Sequence, residues 1–459
     1  MAIRIVNISD DEVAKLFEKT ESHFLDMKDS RIEPSKLTRT LAAFANADGG
    51  ELYIGIQEQP GGWNWAGFSD IEGANAHIQV FEQFFPLGQD FQYEFLAAGK
   101  RPGVVLHASI LKTREIKQAS NGKVYIRRGA QNLTVESAEA LQRLQRAKGL
   151  ISYEDATIQA TPEVVSDSLT ITGFMIEVVP NAAPDAWLRK QQLIVDEKPT
   201  VAACTLFADE PQVYLPKAAI KIYRYRTTDP EGTRETLAFD PITIEGPIYD
   251  QIRDSVEKTV EIAEQIQIMR QDGLHPIKYP RDALHEIITN AVLHREYAMN
   301  DDVHVRIFDN RIEVESPGRL PAHITPQNIL TERFARNPKV VRLINKFPSP
   351  PNKDVGEGLN TAFRAMQRLR LREPQIVERE NSVLVNIRHE PLASPEQVIV
   401  EHIRENGQIN NTTAREITGI QSDRQVHKLF KRLLGAGEIE QVPGTYKATT
   451  AYRIPEGRR

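Results

Sequence analysis

Cysteine is almost absent from this chain of 459 residues, which contains Cys204 alone. A single thiol cannot form a disulfide within the chain, and this fits a reducing compartment. Long apolar runs are missing as well, since no stretch approaches the roughly 20 apolar residues that span a bilayer. The first residues turn acidic at Asp10 and Asp11, where a secretory signal would be apolar. We therefore expect a cytoplasmic protein without a membrane partner.

Low-complexity tracts are lacking, which argues against extensive disorder. Internal repeats are lacking as well. Hydrophobic residues make up 40% and charged residues 26% of the chain, the profile of ordinary globular protein. At roughly 100–200 residues per domain, the length indicates about three domains. The net charge of -6 excludes a surface that is basic throughout, although a local basic patch is enough for contact with nucleic acid.

The first 145 residues show the pattern of an α+β domain. Ser9-Asp10-Asp11-Glu12 is a capping box that should begin a helix running to about Lys19, and apolar spacing predicts a second helix at 34–47. Strands are expected at 51–56, after a turn at Asp48-Gly49-Gly50, and at 103–110 and 123–127.

Residues 146–274 form a connecting α/β region in which no chemical motif stands out. Its short apolar runs predict strands at 169–178, 200–207 and 218–226, separated by clusters of Pro, Asp and Gly. A long amphipathic helix is expected at 247–271, because the apolar residues there recur at nearly helical spacing.

The most informative segment covers residues 279–295. Pro280 suits the first turn of a helix, and Glu286, Asn290 and His294 follow at steps of four, so they share one stripe. A carboxylate and an amide on one stripe can orient water and hold Mg²⁺ through oxygen ligands. The same spacing also fits an amphipathic helix with a solvated polar face.

The sequence after this helix favours a nucleotide site. Two strands are expected at 303–308 and 311–315, joined by a tight turn, and the second runs into Ser316-Pro317-Gly318. After a basic loop, Gly356-Glu357-Gly358 opens another helix. Glycines before a helix let backbone N–H groups approach phosphates, and a helix N-terminus favours anions.

This ordered set, over about 275–390, resembles the divergent GHKL (Bergerat) ATP-binding domain, an α/β sandwich found in predicted bacterial and archaeal regulators. The resemblance implies that Glu286 is a catalytic, water-activating base. It also implies that Asn290 is a ligand of Mg²⁺. His294 shares the stripe with these two residues, so we expect it in the same cofactor site. We therefore expect ATP with Mg²⁺ as cofactors and a weak ATPase activity.

Four further positions are assigned to the nucleotide by the same resemblance. Glu315 stands where the family usually has an adenine-reading Asp or Asn, in the strand before the glycine. Gly318 would shape the adenine pocket, and Gly356 and Gly358 would cradle phosphate.

A second candidate site lies near the start of the chain. Glu21, Asp26 and Lys28 are close in sequence, and Glu58 follows the strand expected at 51–56. Three carboxylates at adjacent strand ends could bind one or two divalent metals, and Lys28 could stabilise charge on a phosphate, as in metal-assisted phosphodiester cleavage. The alternative is that the acids are surface residues and Lys28 is their ion-pair partner.

The wider segment, over about 10–135, resembles the Schlafen-type, Alba-like domain. The matching elements are Glu21-Ser22, the run ending in Lys28, Phe44-Ala45-Asn46-Ala47-Asp48-Gly49-Gly50, Tyr53-Ile54-Gly55-Ile56 and Val124-Tyr125-Ile126-Arg127-Arg128-Gly129. By that resemblance, Glu21, Asp26 and Glu58 stand where Schlafen nucleases, which cleave RNA and notably transfer RNA, hold Mg²⁺ or Mn²⁺. Asp26 replaces the usual Glu, so the domain could also bind nucleic acid without cutting it.

Three basic residues near 125 are candidate contacts for the phosphates of RNA or DNA, namely Lys123, Arg127 and Arg128. The alternative is that they belong to a charged edge strand that blocks aggregation.

Residues 395–459 show the pattern of a winged helix-turn-helix. Helices are expected at 396–404, 411–417 and 422–434, with a wing from 437–442 and 451–454. The third helix would expose a basic face consisting of Arg424, Lys428, Lys431 and Arg432. Such a face is what major-groove binding needs, although these modules also serve in dimerisation or protein docking.

The sequence thus predicts a multidomain α+β protein. Its domains are a Schlafen/Alba-like domain at 1–145, the connecting region at 146–274, a GHKL-type domain at 275–390 and the winged helix at 395–459. The first hypothesis is a nucleic-acid-binding protein whose Schlafen-like domain, as a metal-dependent nuclease, is switched by ATP in stress response or phage defence. The second is an ATP-sensing transcriptional regulator without nuclease activity, and the third is an interaction scaffold. By family analogy we expect a homo-oligomer.

Overall fold

The computed structural model describes residues 4–86, 88–270, 273–351, 358–368, 371–389, 395–418, 420, 422–446 and 450–455. The chain divides into two compact units, residues 1–363 with 374–387 and residues 364–373 with 388–459. The domain boundaries expected near 145 and 274 both fall inside the first unit and stay predictions. Within these described residues, no helix is both long enough and apolar enough to cross a membrane.

The α-helices of the described ranges are α1 (Asp10–Phe17), α2 (Leu37–Asn46), α3 (Asn75–Phe84), α4 (Ala138–Ala147), α5 (Glu163–Ser166), α6 (Leu169–Val178), α7 (Pro184–Lys190), α8 (Val201–Phe207), α9 (Ile248–Glu264), α10 (Arg281–Leu293), α11 (Pro338–Ile344), α12 (Gly358–Arg368), α13 (Pro395–Asn406), α14 (Asn411–Thr418) and α15 (Asp423–Gly435).

The strands of the same ranges are β1 (Ile5–Ile8), β2 (Leu25–Lys28), β3 (Gly50–Ile54), β4 (Ile56–Gln59), β5 (Gly62–Trp65), β6 (Phe91–Ala98), β7 (Val104–Ile110), β8 (Tyr125–Arg128), β9 (Gln131–Thr134), β10 (Ile194–Val195), β11 (Lys198–Pro199), β12 (Ile220–Arg224), β13 (Ile242–Ile244), β14 (Gln267–Arg270), β15 (Gly273–Pro276), β16 (Val303–Ile307), β17 (Arg311–Pro317), β18 (Gln375–Glu378), β19 (Ser382–Arg388), β20 (Ile409–Asn410), β21 (Glu440–Gln441) and β22 (Ala451–Arg453).

The N-terminal sheet has five strands in the order β1-β6-β7-β3-β2. Helices α2 and α3 bury Phe44 and Phe81 with one face of this sheet. Helix α1 and the hairpin β4-β5 cover part of the other face, where Val13 and Trp65 pack. The turn expected before β3 is confirmed: Gly49 has φ +80, and a Cβ there would lie 2.6 Å from the carbonyl oxygen of Ile110. Only glycine fits this position.

Two strands expected in the connecting region are wrong, because residues 169–178 and most of 200–207 are the helices α6 and α8. Their first turns are capped by Ser168, which accepts from the N–H of Ile171, and by Thr200, which accepts from the N–H of Ala203. The strand expected at 218–226 is confirmed as β12. The helix expected at 247–271 ends earlier, at Glu264, and β14 follows it.

The second large sheet has six strands in the order β13-β12-β16-β17-β19-β18. Strand β12, from the region expected to be a connector, runs parallel to β16 and pairs Ile222 with Val305. Helix α10 packs against α9 and β17. This arrangement places α10 along one face of the sheet, with Leu284 and Ile288 fully buried.

The second unit contains the helices α13, α14 and α15 and a three-stranded sheet in the order β20-β22-β21. Val426, Leu429, Phe430 and Leu433 of α15 are buried in its core. The three helices lie close to the positions expected from the sequence, whereas the winged-helix assignment itself stays an interpretation.

Candidate nucleotide and nucleic-acid sites

Helix α10 brings Glu286 and Asn290 together on one stripe, as the spacing of four predicts. Nδ2 of Asn290 donates to Oε1 of Glu286 over 2.7 Å. Burial raises the pKa of Glu286 above its ordinary value, and the hydrogen bond from Asn290 opposes this only in part. A carboxylate with a raised pKa is a better proton acceptor, which is what a general base requires.

A cavity of about 270 Å³ lies beside this stripe. Glu286 and Asn290 line it from α10, His294 lines it from the residue that follows this helix, and Leu359 and Asn360 line it from the first turn of α12. The two segments that the sequence assigns to one nucleotide therefore face the same space. Much of the remaining wall is apolar, with contributions from Ile324, Leu330, Phe334, Val341, Ile376, Val383 and Val385. A mainly apolar cavity with a few convergent polar groups is typical of a small-molecule site.

His294 lies one turn beyond Asn290, at the end of α10, and lines the cavity. Burial, together with the positive charge of Arg336, lowers the pKa of His294 to about 4. The imidazole is therefore neutral at pH 7.

Glu315 does not line the cavity, in contrast to the role that the resemblance gives it. Its neighbours Val314 and Ser316 do, and side chains alternate between the faces of a strand. The carboxylate of Glu315 is instead bound by Arg306, by Arg379 and by Ser382. The adenine-reading position is thus occupied by a residue that points to the other side of the sheet.

Gly318 lines the cavity, as expected from its position after β17. Its φ is +99, and a Cβ there would lie 2.6 Å from Cβ of Glu296, so a larger residue would be strained and crowded. Gly356 lies outside the described residues. Gly358 is the first residue of α12, whose next two residues reach the cavity.

The polar cluster of the N-terminal domain contains three of the four residues predicted there. Nζ of Lys28 lies 3.2 Å from Oε1 of Glu21 and 2.9 Å from Oδ1 of Asp26. Strand β2 carries Asp26 and Lys28 beside β3. Glu21 reaches the end of the same strand and also accepts from the N–H of Met27.

The two carboxylates of this cluster differ in environment. Asp26 is almost fully buried, and burial together with the nearby Glu21 raises its pKa. Burial acts in the same direction on Glu21, but hydrogen bonds from Asp26, Met27 and Lys28 outweigh it and lower the pKa of Glu21. Neighbouring acids with pKa values pushed apart suit a donor and an acceptor of protons.

Glu58, the third predicted metal ligand, is exposed on the hairpin β4-β5, opposite Trp63. Across the described ranges, no three His, Cys, Asp or Glu side chains are grouped so that they could hold a metal ion. The predicted set of Glu21, Asp26 and Glu58 is therefore not assembled. The reason is that Glu58 lies on β4, which pairs only with β5 and not with the five-stranded sheet among the described strands. The other two acids are already paired, Glu21 with Lys28 and Asp26 with both Lys28 and Arg127.

Arg127 is buried and is not available to a phosphate, in contrast to its predicted role. Its guanidinium donates to the carbonyl oxygens of Ser22 and Leu25 and lies 3.3 Å from Oδ1 of Asp26. Lys123 and Arg128 are exposed, and they pair with Glu136 and Glu380. Of the three predicted basic contacts, two thus remain at the surface.

On α15, the basic residues expected to face outward are exposed, namely Arg424, Lys428, Lys431 and Arg432. Arg432 lies 3.1 Å from Glu396 of α13.

Sequence reasoning missed several residues of the cavity wall, among them Arg319, Arg333 and Phe334. Arg319 directly follows the glycine that the motif identified, so its position could have been inferred. Arg333 and Phe334 belong to a basic loop whose fold no local pattern specifies.

Family comparisons agree with two of these domains. The family model described as "Schlafen, AlbA_2" matches residues 21–136, and the one described as "Putative ATP-dependent DNA helicase recG C-terminal" matches residues 300–387. The chain therefore carries a Schlafen/AlbA_2 domain and a GHKL-like ATPase domain, and the multidomain α+β class is confirmed. The second match begins after α10, so the assignment of Glu286 and Asn290 depends on the cavity geometry.

Among solved structures, the DIP2311 protein from Corynebacterium diphtheriae is 18% identical, with 94% of this chain and 80% of that chain covered and a TM-score of 0.41. A search of the curated proteins finds none that matches.

Proposed function

We propose that this protein binds ATP with Mg²⁺ in the cavity beside α10, and that cavity occupancy controls how the N-terminal domain engages nucleic acid. The observation that carries the proposal is the convergence of Glu286, Asn290, Gly318 and the first turn of α12 on one cavity. The match of an ATPase family model to the strands around it supports the same conclusion.

The donor set fits a magnesium nucleotide. Since Nδ2 of Asn290 donates to Glu286, a cation would be held by Oδ1 of Asn290, an oxygen ligand of the kind that Mg²⁺ prefers. When bound, Mg²⁺ neutralises charge on the phosphates. Glu286 would hold a water and accept its proton, which its raised pKa favours. The apolar walls would exclude bulk water from the base and sugar.

We propose that Lys28 contacts the phosphates of the nucleic-acid backbone. Its side chain is 27% exposed between two carboxylates, so it can reach a phosphate at the surface. Lys123 and Arg128 would add to this contact. Since the described residues contain no group of three carboxylates that could hold a metal ion, binding of nucleic acid is favoured over metal-dependent cleavage.

The exposed basic face of α15 favours a second function, DNA binding by an ATP-sensing regulator. Roles in stress response, in phage defence and in a homo-oligomer belong to the same set of proposals.

Calorimetry on the full chain with a non-hydrolysable ATP analogue and Mg²⁺ tests the proposal. We expect binding that Asn290→Ala weakens at least about tenfold, as loss of a metal ligand should. Asn75→Ala, at an exposed position on α3, is the matched control and should bind like wild type. Glu286→Gln should bind the analogue but hydrolyse no ATP. Absence of binding by the wild-type chain would refute the proposal.

Fluorescence anisotropy with labelled single-stranded RNA and duplex DNA, each with and without the analogue, separates the two functions. A nucleotide-dependent affinity for RNA that Lys28→Ala weakens supports the N-terminal site. An affinity for DNA alone, weakened by Lys428→Ala and Lys431→Ala, supports the regulator. Incubation of the protein with the same RNA and Mn²⁺, followed by separation of the RNA products, measures cleavage directly.

A further inference from the structure

One wall of the cavity is also hydrogen-bonded to the Schlafen/AlbA_2 domain of the first unit. Arg319, Leu320, Ile324 and Phe334 line the cavity. Nζ of Lys112 donates to the carbonyl oxygens of Leu320 and Ile324 over 3.0 and 3.3 Å. The backbone of this cavity wall is therefore directly hydrogen-bonded to a side chain of the N-terminal domain.

Phe334 provides a second attachment. Its ring lies so close to Gly149 that a Cβ on that glycine would come within 2.2 Å of it. The guanidinium of Arg114 lies over the same ring, 5.3 Å from its centroid. A cavity residue is thus held between two groups that follow the N-terminal sheet in the chain.

Arg319 connects the cavity to a buried ion-pair network. Its Nη2 lies 2.7 Å from Oδ2 of Asp48, and its Nε lies 3.2 Å from Oε1 of Glu378. The side chain of Arg319 is 35% exposed, whereas those of Asp48 and Glu378 are 7% and 10% exposed. The guanidinium therefore stands between the cavity and two carboxylates that are almost sealed from water.

Asp48 divides one oxygen between two donors. Its Oδ2 lies 2.6 Å from Nε2 of His23 as well as 2.7 Å from Arg319. Among the described residues, its Oδ1 has no hydrogen-bond partner, and Nζ of Lys112 is 3.6 Å away. Lys112 is thus already an ion-pair partner of Asp48, at a distance from which the carboxylate can close on it if Arg319 leaves.

His23 leads directly into the polar cluster of the N-terminal domain. The carbonyl oxygen of the preceding Ser22 accepts from Nε of Arg127, and Arg127 holds Asp26. The segment 21–28, which contains Glu21, Asp26 and Lys28, is therefore anchored by His23 on one side and by Arg127 on the other.

We propose that Arg319 is a nucleotide sensor that reports cavity occupancy to residues 21–28 through Asp48 and His23. Phosphate oxygens compete with carboxylates for a guanidinium, since both make charge-assisted hydrogen bonds. A bound nucleotide draws Arg319 from Asp48, the carboxylate turns to Lys112, and His23 loses its partner. The inference depends on the proposed nucleotide function, and because such coupling is reciprocal, a ligand at residues 21–28 changes nucleotide affinity by the same factor.

Hydrogen exchange with mass spectrometry tests the relay in the full chain, with and without the ATP analogue and Mg²⁺. We expect slower exchange in peptides covering 286–294 and 314–320, and exchange at least about threefold faster in 21–28, because that segment loses an anchor. Slowing at 286–294 without acceleration at 21–28 would refute the relay and leave nucleotide binding intact. No change at 286–294 would overturn both.

Asp48→Asn keeps the shape of the side chain but removes the charge that attracts Arg319. The variant should still show slower exchange at 286–294, while the response at 21–28 disappears. His23→Gln removes the imidazole that contacts Asp48 and leaves Asp48 itself unchanged. This variant is used if Asp48→Asn does not fold. Glu136→Gln, which breaks the exposed pair with Lys123, should respond like wild type. A response at 21–28 that persists in both relay variants would overturn the proposal.

Discussion

Oε2 of Glu315 lies 2.5 Å from Nη1 of Arg306, on the face of the six-stranded sheet opposite to the one that Ser316 presents to the cavity. Arg379 and Ser382 bind the same carboxylate from neighbouring segments. Glu315 therefore stabilises the face of the sheet that lies away from the cavity. Its strand neighbours Val314 and Ser316 line the cavity, and Oγ of Ser316 donates to the carbonyl oxygen of Ala291.

Glu315→Gln should leave affinity for the ATP analogue within about twofold of wild type, because the side chain does not reach the cavity. It should lower the free energy of unfolding by about 1–3 kcal/mol, since two arginines lose a charged acceptor. Ser316→Leu, which fills the cavity, should weaken binding at least about tenfold by calorimetry. A tenfold loss in Glu315→Gln would show that the carboxylate contacts the nucleotide after all.

Arg127→Met should destabilise the protein by about 1–3 kcal/mol, because two carbonyl oxygens and the buried carboxylate of Asp26 lose a donor. Asp26 keeps its ion pair with Lys28, so the larger cost of an unpaired buried charge does not apply. Lys123→Met is the matched control at the surface and should cost less than about 1 kcal/mol. Urea unfolding followed by tryptophan fluorescence measures both. If Arg127→Met unfolds like wild type but binds RNA more weakly and with a smaller salt slope, the phosphate-contact assignment is correct.

The free energy of unfolding should fall as the pH decreases from about 6.5 to about 4, in part because of His294. The unfolded chain binds a proton at the ordinary histidine pKa, whereas burial holds the pKa of native His294 at about 4. The native state binds fewer protons in this window, so its stability rises with pH, by up to about 3 kcal/mol from this group. His294→Gln should flatten that part of the profile, and His427→Gln, on the exposed face of α15, should not.

Lys148 makes a second pH-dependent contribution to the free energy of unfolding, in a higher pH range than His294. Its Nζ donates to the carbonyl oxygens of Ala45 and Thr113, each over 2.6 Å. Burial, aided by the charge of Lys112, lowers the pKa of Lys148 to about 7. Between pH 7 and the ordinary lysine pKa the unfolded chain binds the extra proton, so stability rises with pH.

The difference in unfolding free energy between wild type and Lys148→Met should therefore increase by about 2 kcal/mol from pH 7 to pH 9. Denaturant titrations at three pH values measure it. A difference that stays constant with pH would mean that Lys148 is charged in the folded protein.

Local signals in the sequence were sufficient for the elements that local chemistry defines. The capping box of α1 is confirmed, since Ser9 and Glu12 exchange hydrogen bonds in both directions. Helix α10 and the hairpin β16-β17 are confirmed as well. Each depends on residues within one turn or one hairpin of each other.

The apolar runs of α6 and α8 could not be assigned in the same way. The apolar residues of both segments lack the clear helical period that separates a helix from a buried strand. The N-caps Ser168 and Thr200 were the signal that pointed to helices.

The resemblance of the chain's ordered motifs was enough to identify the two domain classes that the family models match, and spacing along one segment predicted the stripe of Glu286 and Asn290. Which polar groups are available to a ligand depends instead on the packing of segments that are far apart in the chain. The alternation of side chains along β17 points Glu315 away from the cavity. Burial leaves Arg127 bonded to Asp26 and to backbone carbonyl oxygens, so it is not available to a ligand. The fold brings Arg319 into contact with Asp48, although the two residues are 271 positions apart in the sequence. These outcomes depend on contacts between distant segments, and no local pattern encodes a contact of that kind.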